Sequence, residues 1–311
     1  MPYNSLVSRS DAAALVPEEV SNAMLTSLSA QSAVLELGQR IPIARNQTRF
    51  PVLSALPTAY FVSGDTGLKQ TTEAAWDNKY MYVEEIATIV PIPESVLDDA
   101  GFDVWGSIQP LMEAAIARTL DAAVIFGTNA PTTWATEGNL VADAVSAGNV
   151  VARGTNNAAA GGLAGDLSDL LGTLEADGYM ANGAVGNITL KARLRQVRDT
   201  TGQKILQDAD VPDINYALPG LWPSGLSAAE LLVGDFSNLV VGVRQDMTYK
   251  LITEGVITDN TGAIIYNLPQ QDMVALRLVF RAAYAVANPI NYQQGTEANR
   301  YPFAVLRSPA S

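Results

Sequence analysis

Residues 64–76 read GDTGLKQTTEAAW, and they lie between two strand-like runs, TAYFV (58–62) and KYMYVEEIATIVPI (79–92). Two β-rich runs around one polar connection predict a long antiparallel hairpin. Its middle is wet: Asp65, Thr66, Lys69, Gln70, Thr71, Thr72 and Glu73 give it little to bury on its own chain. A lone two-stranded hairpin is marginal in water. A fold that carries this one must complete it with surface from somewhere else. The apolar anchors on offer are Tyr60, Phe61 and Trp76, and Asp65, Lys69, Glu73 and Lys79 are charges for the rim of a contact.

The rest of the chain is a folded one. Its 311 residues suffice for one large or two modest domains, and 48% hydrophobic against 16% charged residues excludes a disordered chain. Cys and His are both absent. That removes disulfides, thiolate zinc sites and Cys nucleophiles, and with His go the commonest general base and any Ser-His-Asp triad. No cofactor or metal is expected. No apolar run approaches the roughly 20 residues of a membrane span, and no signal-peptide pattern opens the chain, so a cytosolic protein without membrane association is expected. The net charge of −13 lacks the basic footprint of sequence-specific DNA binding.

Residues 1–48 read as an arm. Pro17, Glu18 and Glu19 suit a helix start, followed by Val20, Met24, Leu25 and Leu28 at helical spacing. Prolines Pro91 and Pro93 close the second strand run. The strongest helix is expected over 103–127, with Asp103 as cap and Gly127 as stop. Its apolar face is read as Val104, Ile108, Leu111, Ala115, Thr119, Ala122 and Phe126, with Gln109, Glu113 and Asp121 on other faces. Residues 128–165 read as a loop-heavy crossover. Two capped helices follow, 166–178 and 187–202. The first has a Leu167, Leu170, Leu171, Leu174 face, and the second has Ile188, Leu190, Leu194 and Val197. GYMANGAVG between them is a short strand or turn, and 203–233 is irregular. From 234 two long β-rich runs are joined by the hairpin tip TDNTG (258–262).

Local motifs carry no chemistry. GGLAG (161–165) lacks the strand-Gly-helix context of a dinucleotide fingerprint and reads as a flexible loop. TTGQK (200–204) lacks the upstream Gly of a phosphate loop, and DADVPD (208–213) lacks the Gly and Glu of a calcium loop. Asp98, Asp99 and Asp103 suit a helix N-terminus better than acid–base work. Lys191, Arg193, Arg195 and Arg198 form the one basic concentration, expected to meet a neighbouring acidic surface.

The order of features is more telling than any one motif: an N-terminal arm, a long polar hairpin, PESVLDD, one long helix, FGTNAPTTW, then GDFSNLVVGVRQDMTYKLITEG and MVALRLVFRAAYAVANPINY. From about Leu15 to about Leu306 this resembles the HK97-fold major capsid proteins of tailed double-stranded DNA bacteriophages. The resemblance implies an α+β fold with an N-arm (1–48), an extended E-loop hairpin (49–86), a peripheral domain with a long spine helix and sheet (87–130 and 236–282), and an axial α/β domain (131–235 and 283–311). It places Asp259 and Asn260 in the P-loop at capsomer junctions. It implies a non-enzymatic protein that self-assembles into pentamers and hexamers of an icosahedral virion shell in the host cytoplasm. The implied partners are a portal, a separate scaffold or none, a decoration protein, and packaged DNA held without sequence specificity. Some members join an E-loop lysine to a P-loop asparagine; Lys69 with Asn260 or Asn267 are the matching positions. An encapsulin-like cargo shell shares this fold, and a His-independent cytosolic hydrolase or lyase is the non-capsid alternative.

Overall fold

The computed structural model describes residues 32–62, 69, 71–99, 104–198, 212–216 and 220–309. In chain order these form α1 (Ala33–Leu37), β1 (Gln39–Pro42), β2 (Gln47–Ala55), β3 (Ala75–Tyr82), β4 (Glu84–Pro93), α2 (Glu94–Asp99) and α3 (Val104–Phe126). Next come α4 (Thr132–Glu137), α5 (Leu140–Ser146), β5 (Val150–Ala152), α6 (Leu163–Ala176), β6 (Gly183–Gly186), α7 (Ile188–Gln196), β7 (Ile214–Asn215) and β8 (Ala229–Gly234). The chain closes with β9 (Leu239–Ile252), β10 (Val256–Thr258), β11 (Ile264–Asn267), β12 (Met273–Val286) and β13 (Phe303–Arg307).

Two sheets organise the body. The first has the order β1-β9-β12-β4, with β1 parallel to β9 and the other pairings antiparallel. Its long strands alternate: Leu276, Leu278, Phe280, Ala282 and Tyr284 of β12 pack with Met112, Ile116, Leu120, Ala123 and Val124 of α3 in the main core. β4 is an edge strand, which is where Pro91 and Pro93 are tolerated, since an edge has no second ladder to break. The second sheet has the order β5-β13-β8-β6-β7. Leu167, Leu170 and Leu174 of α6 cover one of its faces together with Leu231, Val233, Ala304 and Leu306. Its other face, with Val185, Leu232, Phe303 and Val305, joins the main core.

The long helix is present, and its expected face is partly buried: Val104 and Ala122 are buried and Ile108 and Phe126 pack against the core, but the middle of that face is not. Leu111, Ala115 and Thr119 are exposed, and Met112, Glu113, Ile116, Leu120 and Asp121 are buried. The cause is two carboxylates with internal work. Asp121 accepts from Ser32 Oγ (2.7 Å), Ala33 N (3.0 Å) and Val34 N (3.2 Å), which satisfies the start of α1. Glu113 accepts from the Tyr249 hydroxyl at 3.1 Å. Pro110 lies inside the helix. Gly127 ends it with φ of 68°, and a side chain there would also strike Asn139 Nδ2 at 2.8 Å. The expected cap Asp103, the stop Gly202 and the arm pattern at 17–28 lie outside the described residues.

Other expectations shift in detail. TAYFV (58–62) is not a strand; the partner of β3 is β2, at 47–55. The run 79–92 is two strands in two different sheets, parted at Val83, whose N–H donates to Asn46 O at 2.9 Å. GGLAG leads directly into α6, with Gly161 and Gly162 both at positive φ. The crossover 128–165 holds α4, α5 and β5, and the irregular 203–233 ends in the fully buried β8. In α7 Leu190 is buried, but Ile188 is exposed.

Candidate inter-subunit surface

The feature that the body leaves incomplete is the β2–β3 ribbon. Its register pairs Thr48 with Met81, Phe50 with Lys79 and Val52 with Asp77 on one face, and Arg49 with Tyr80, Pro51 with Asn78 and Leu53 with Trp76 on the other. The first face docks on its own chain. Met81 and Phe50 pack with Ile43, Val83, Ala283 and Ala285, so the ribbon's base lies on the side of the first sheet away from α3. The second face looks outward: Trp76 is 63% exposed and Tyr80 is also exposed. Beyond β2, Tyr60, Phe61 and Val62 are exposed as well, with Phe61 fully in solvent. Lys69 and Glu73 are exposed, and Asp65 lies outside the described residues.

Polar ties fix the angle at which the ribbon leaves. Lys79 Nζ meets Glu297 Oε1 at 2.8 Å within the same chain, and Ile290 N donates to Leu53 O at 3.0 Å. Both partners sit on the 287–302 segment, which buried Arg300 clamps. Its guanidinium donates to Asn288 Oδ1 (3.0 Å), Asn288 O (3.0 Å) and Gln294 O (2.8 Å). Where β3 passes to β4, Trp134 Nε1 donates to Tyr82 O at 2.9 Å. A cavity of about 230 Å³ opens at this junction, lined by Lys79, Asp143, Tyr284, Glu297, Arg300 and Tyr301 among others. Burial pushes the Tyr284 and Tyr301 hydroxyls up, so both stay protonated and donate, Tyr284 to Gly138 O and Tyr301 to Asp143. Burial also raises the Asp143 carboxyl, against the lowering pull of Tyr301 and Lys79. No cluster of His, Cys, Asp and Glu fit to hold a metal exists among the described residues, and none of their helices is long and apolar enough to cross a membrane.

The remaining sequence-chosen residues fall apart in space. Asp259 closes the β10–β11 tip, accepting from Thr261 N (2.8 Å), Thr261 Oγ1 (2.7 Å) and Ala263 N (2.9 Å), and these donors, the Thr261 hydroxyl first, hold its carboxyl below the usual range. Asn260 is exposed beside it, whereas the Asn267 amide is engaged by Gln270 Oε1 at 2.7 Å. On α7 (Lys191, Arg193, Arg195) and just beyond it (Arg198) the basic residues do not form one free face. Arg193 pairs with buried Glu230 at 2.6 Å, and Lys191 lies 5.1 Å over the Tyr216 ring; Arg195 and Arg198 are exposed. Sequence reading missed the β2 side of the ribbon and the 287–302 clamp. The Asn and Arg of ANPINYQQGTEANR were the available signal.

A family model described as the phage capsid family matches residues 12–291. The major capsid protein of Staphylococcus phage 80alpha is 26% identical over 275 residues, which is 87% of this chain and 81% of that protein. A solved chain from Microbacterium phage Oxtober96 is 34% identical with a TM-score of 0.77, covering 99% of this chain and 96% of its own. One from Mycobacterium phage Bobi is 32% identical with a TM-score of 0.78, covering 99% and 100%. These matches run through both sheets, the long helix and the ribbon between them, and by them the chain belongs to the phage capsid family and has its HK97-like fold.

Proposed function

We propose that the protein is the major capsid protein of a phage head, assembling into pentamers and hexamers that close an icosahedral shell around double-stranded DNA. One observation carries the subunit mechanism. The β2–β3 ribbon buries one face on its own chain, while Trp76 and Tyr80 on its other face, and Phe61 and Val62 beyond β2, are exposed among the described residues. A row of exposed aromatics on a marginal two-stranded element is stable only when another surface takes it up. In a closed assembly of identical chains that surface belongs to the next copy. The ribbon then serves as the E-loop, the first sheet with α3 as the peripheral domain, the second sheet as the axial domain, and the β10–β11 tip with Asp259 and Asn260 as a junction contact. Lys79 acts within its own subunit to aim the E-loop rather than as a rim charge. Lys69, exposed, is offered for a contact or a cross-link to Asn260 of a neighbour; Asn267, already engaged by Gln270, suits that role less. A protein of this kind is structural rather than catalytic. Its partners are its own copies, with portal, scaffold and decoration proteins and packaged DNA, in a virion assembled in the host cytoplasm.

The test is electron microscopy of the expressed protein beside a variant lacking residues 64–74. Closed shells from the first, and capsomers or aggregates from the second, are expected. Normal shells from the deletion variant would refute the arm. Native particles filled with protein cargo and free of DNA would overturn the phage-head reading in favour of an encapsulin-like shell.

A further inference from the structure

The first sheet has a face away from α3, and on it two cations stand directly opposite each other. Arg277 of β12 pairs in register with Lys250 of β9 on one side and with Ile89 of β4 on the other. Like charges directly opposed across strands destabilise a sheet, and neither has a carboxylate partner among the described residues. Arg277 Nε is buried and its N–H donates to no acceptor among the described residues, a state that costs free energy until an acceptor arrives. Four residues further along the same face, Arg281 is neutralised by Glu85, with Nε at 2.7 Å from its carboxylate. The sheet therefore can pair its arginines within the chain, and at Arg277 and Lys250 it does not. Ile89, next to them, is 44% exposed.

The chain also holds carboxylates with the converse deficit. Glu73, just before β3, and Asp77 of β3 are exposed and form no ion pair among the described residues. Asp77 shares its ribbon face with Phe50 and Met81, the face that turns toward the outer side of the first sheet. The ribbon's own base covers Ala283 and Ala285 there. Arg277 lies six residues back along β12 from Ala283, roughly 20 Å at strand rise. Within one chain the two sets of charges stay apart, whereas a ribbon reaching over a second copy presents the same face to the same kind of sheet.

We infer that the Arg277–Lys250 pair is the acceptor for the ribbon of an adjacent copy, taking the carboxylates of its Glu73 and Asp77 and setting the register of that contact. The inference rests on the ribbon acting as an inter-subunit arm, as proposed above. The in-chain cost of opposed cations is then the counterpart of a specific contact between copies: fixed charges that favour one docking position and penalise others.

Lys250→Glu separates this role from a structural one. It hands Arg277 an in-chain partner, so the unfolding midpoint of the unassembled protein should stay level or rise. The concentration needed for shell assembly, followed by light scattering and microscopy, should rise at least tenfold. The full swap, Arg277→Glu and Lys250→Glu combined with Glu73→Lys and Asp77→Lys, should bring that concentration back to within about threefold of the native protein, while each half alone assembles poorly. Native assembly by Lys250→Glu would overturn the inference, as would a swap that fails to rescue while both halves keep native unfolding midpoints. If those variants behave as native and loss of residues 64–74 still abolishes shells, the arm stands and this acceptor falls.

Discussion

Asp121 shows how one residue can misdirect a helical pattern. It is fully buried, yet it sits on α3 where amphipathic spacing places an outward charge. Burial pushes its carboxyl up to about 6, against the lowering effect of the bonds from Ser32, Val34 and Ala33. The folded-state value thus lies above the unfolded one, so between about pH 4 and pH 6 the native protein binds the proton more tightly than the unfolded chain. This group's contribution is unfavourable above pH 6 and is relieved as pH falls through 6 toward 4. The shift of about two units corresponds to about 3 kcal/mol. Asp143, raised in the same direction, adds to the trend. Urea midpoints of the unassembled protein should therefore gain stability on going from pH 7 to pH 5, acting against the loss from other carboxylates. In Asp121→Asn this gain should shrink. An identical pH slope in both proteins would show that Asp121 is not the titrating group.

At the level of elements, what the sequence shows depends on where the partner surface is. The long helix, the Gly127 and Gly178 stops, the paired β9 and β12 and the TDNTG tip were readable, because caps, turns and alternation are local. The strand β2 was not, because Pro51 inside it argues against a strand and its pairing is set at long range by Met81 and Phe50 packing on the body. TAYFV has the composition of a strand without a strand to pair with; β propensity expresses packing against neighbours more than a backbone preference. The break at Val83 was equally invisible, since no turn residue marks a chain that changes sheets. The same contrast separates two kinds of mutation on the ribbon. Met81→Ala empties a fully buried site and should cost about 2–5 kcal/mol of subunit stability in denaturant titrations. Phe61→Ala and Trp76→Ala remove exposed rings and should change subunit stability by no more than about 0.5 kcal/mol. If these rings are interface anchors, each should cost about 2 kcal/mol per contact, or roughly 30-fold in assembly affinity. Unaltered assembly in both would remove the aromatic anchors from the interface.

For the whole molecule, the most legible quantity is the charge, and its consequence appears only among copies. Each chain carries −13, so two approaching subunits repel at long range while particular cations and carboxylates attract at contact. The two effects have different reach. At about 10 mM salt the Debye length is roughly 30 Å, comparable to a subunit radius, and the net charges dominate. At about 0.15 M it falls to about 8 Å, so the bulk repulsion is largely screened while charges in contact still interact. At about 1 M it is roughly 3 Å, and exposed contact pairs weaken too. Assembly rate should therefore pass through a maximum at intermediate ionic strength, measurable by stopped-flow light scattering across this range. Lys250→Glu, which removes one positive charge, adds one negative charge and takes Arg277 out of play, should lower the maximum and move it to higher salt. A rate that falls steadily from the lowest salt upward would mean that contact pairs outweigh the net charge throughout. A rate that only rises would mean that apolar burial by the ribbon, and not its carboxylates, governs association.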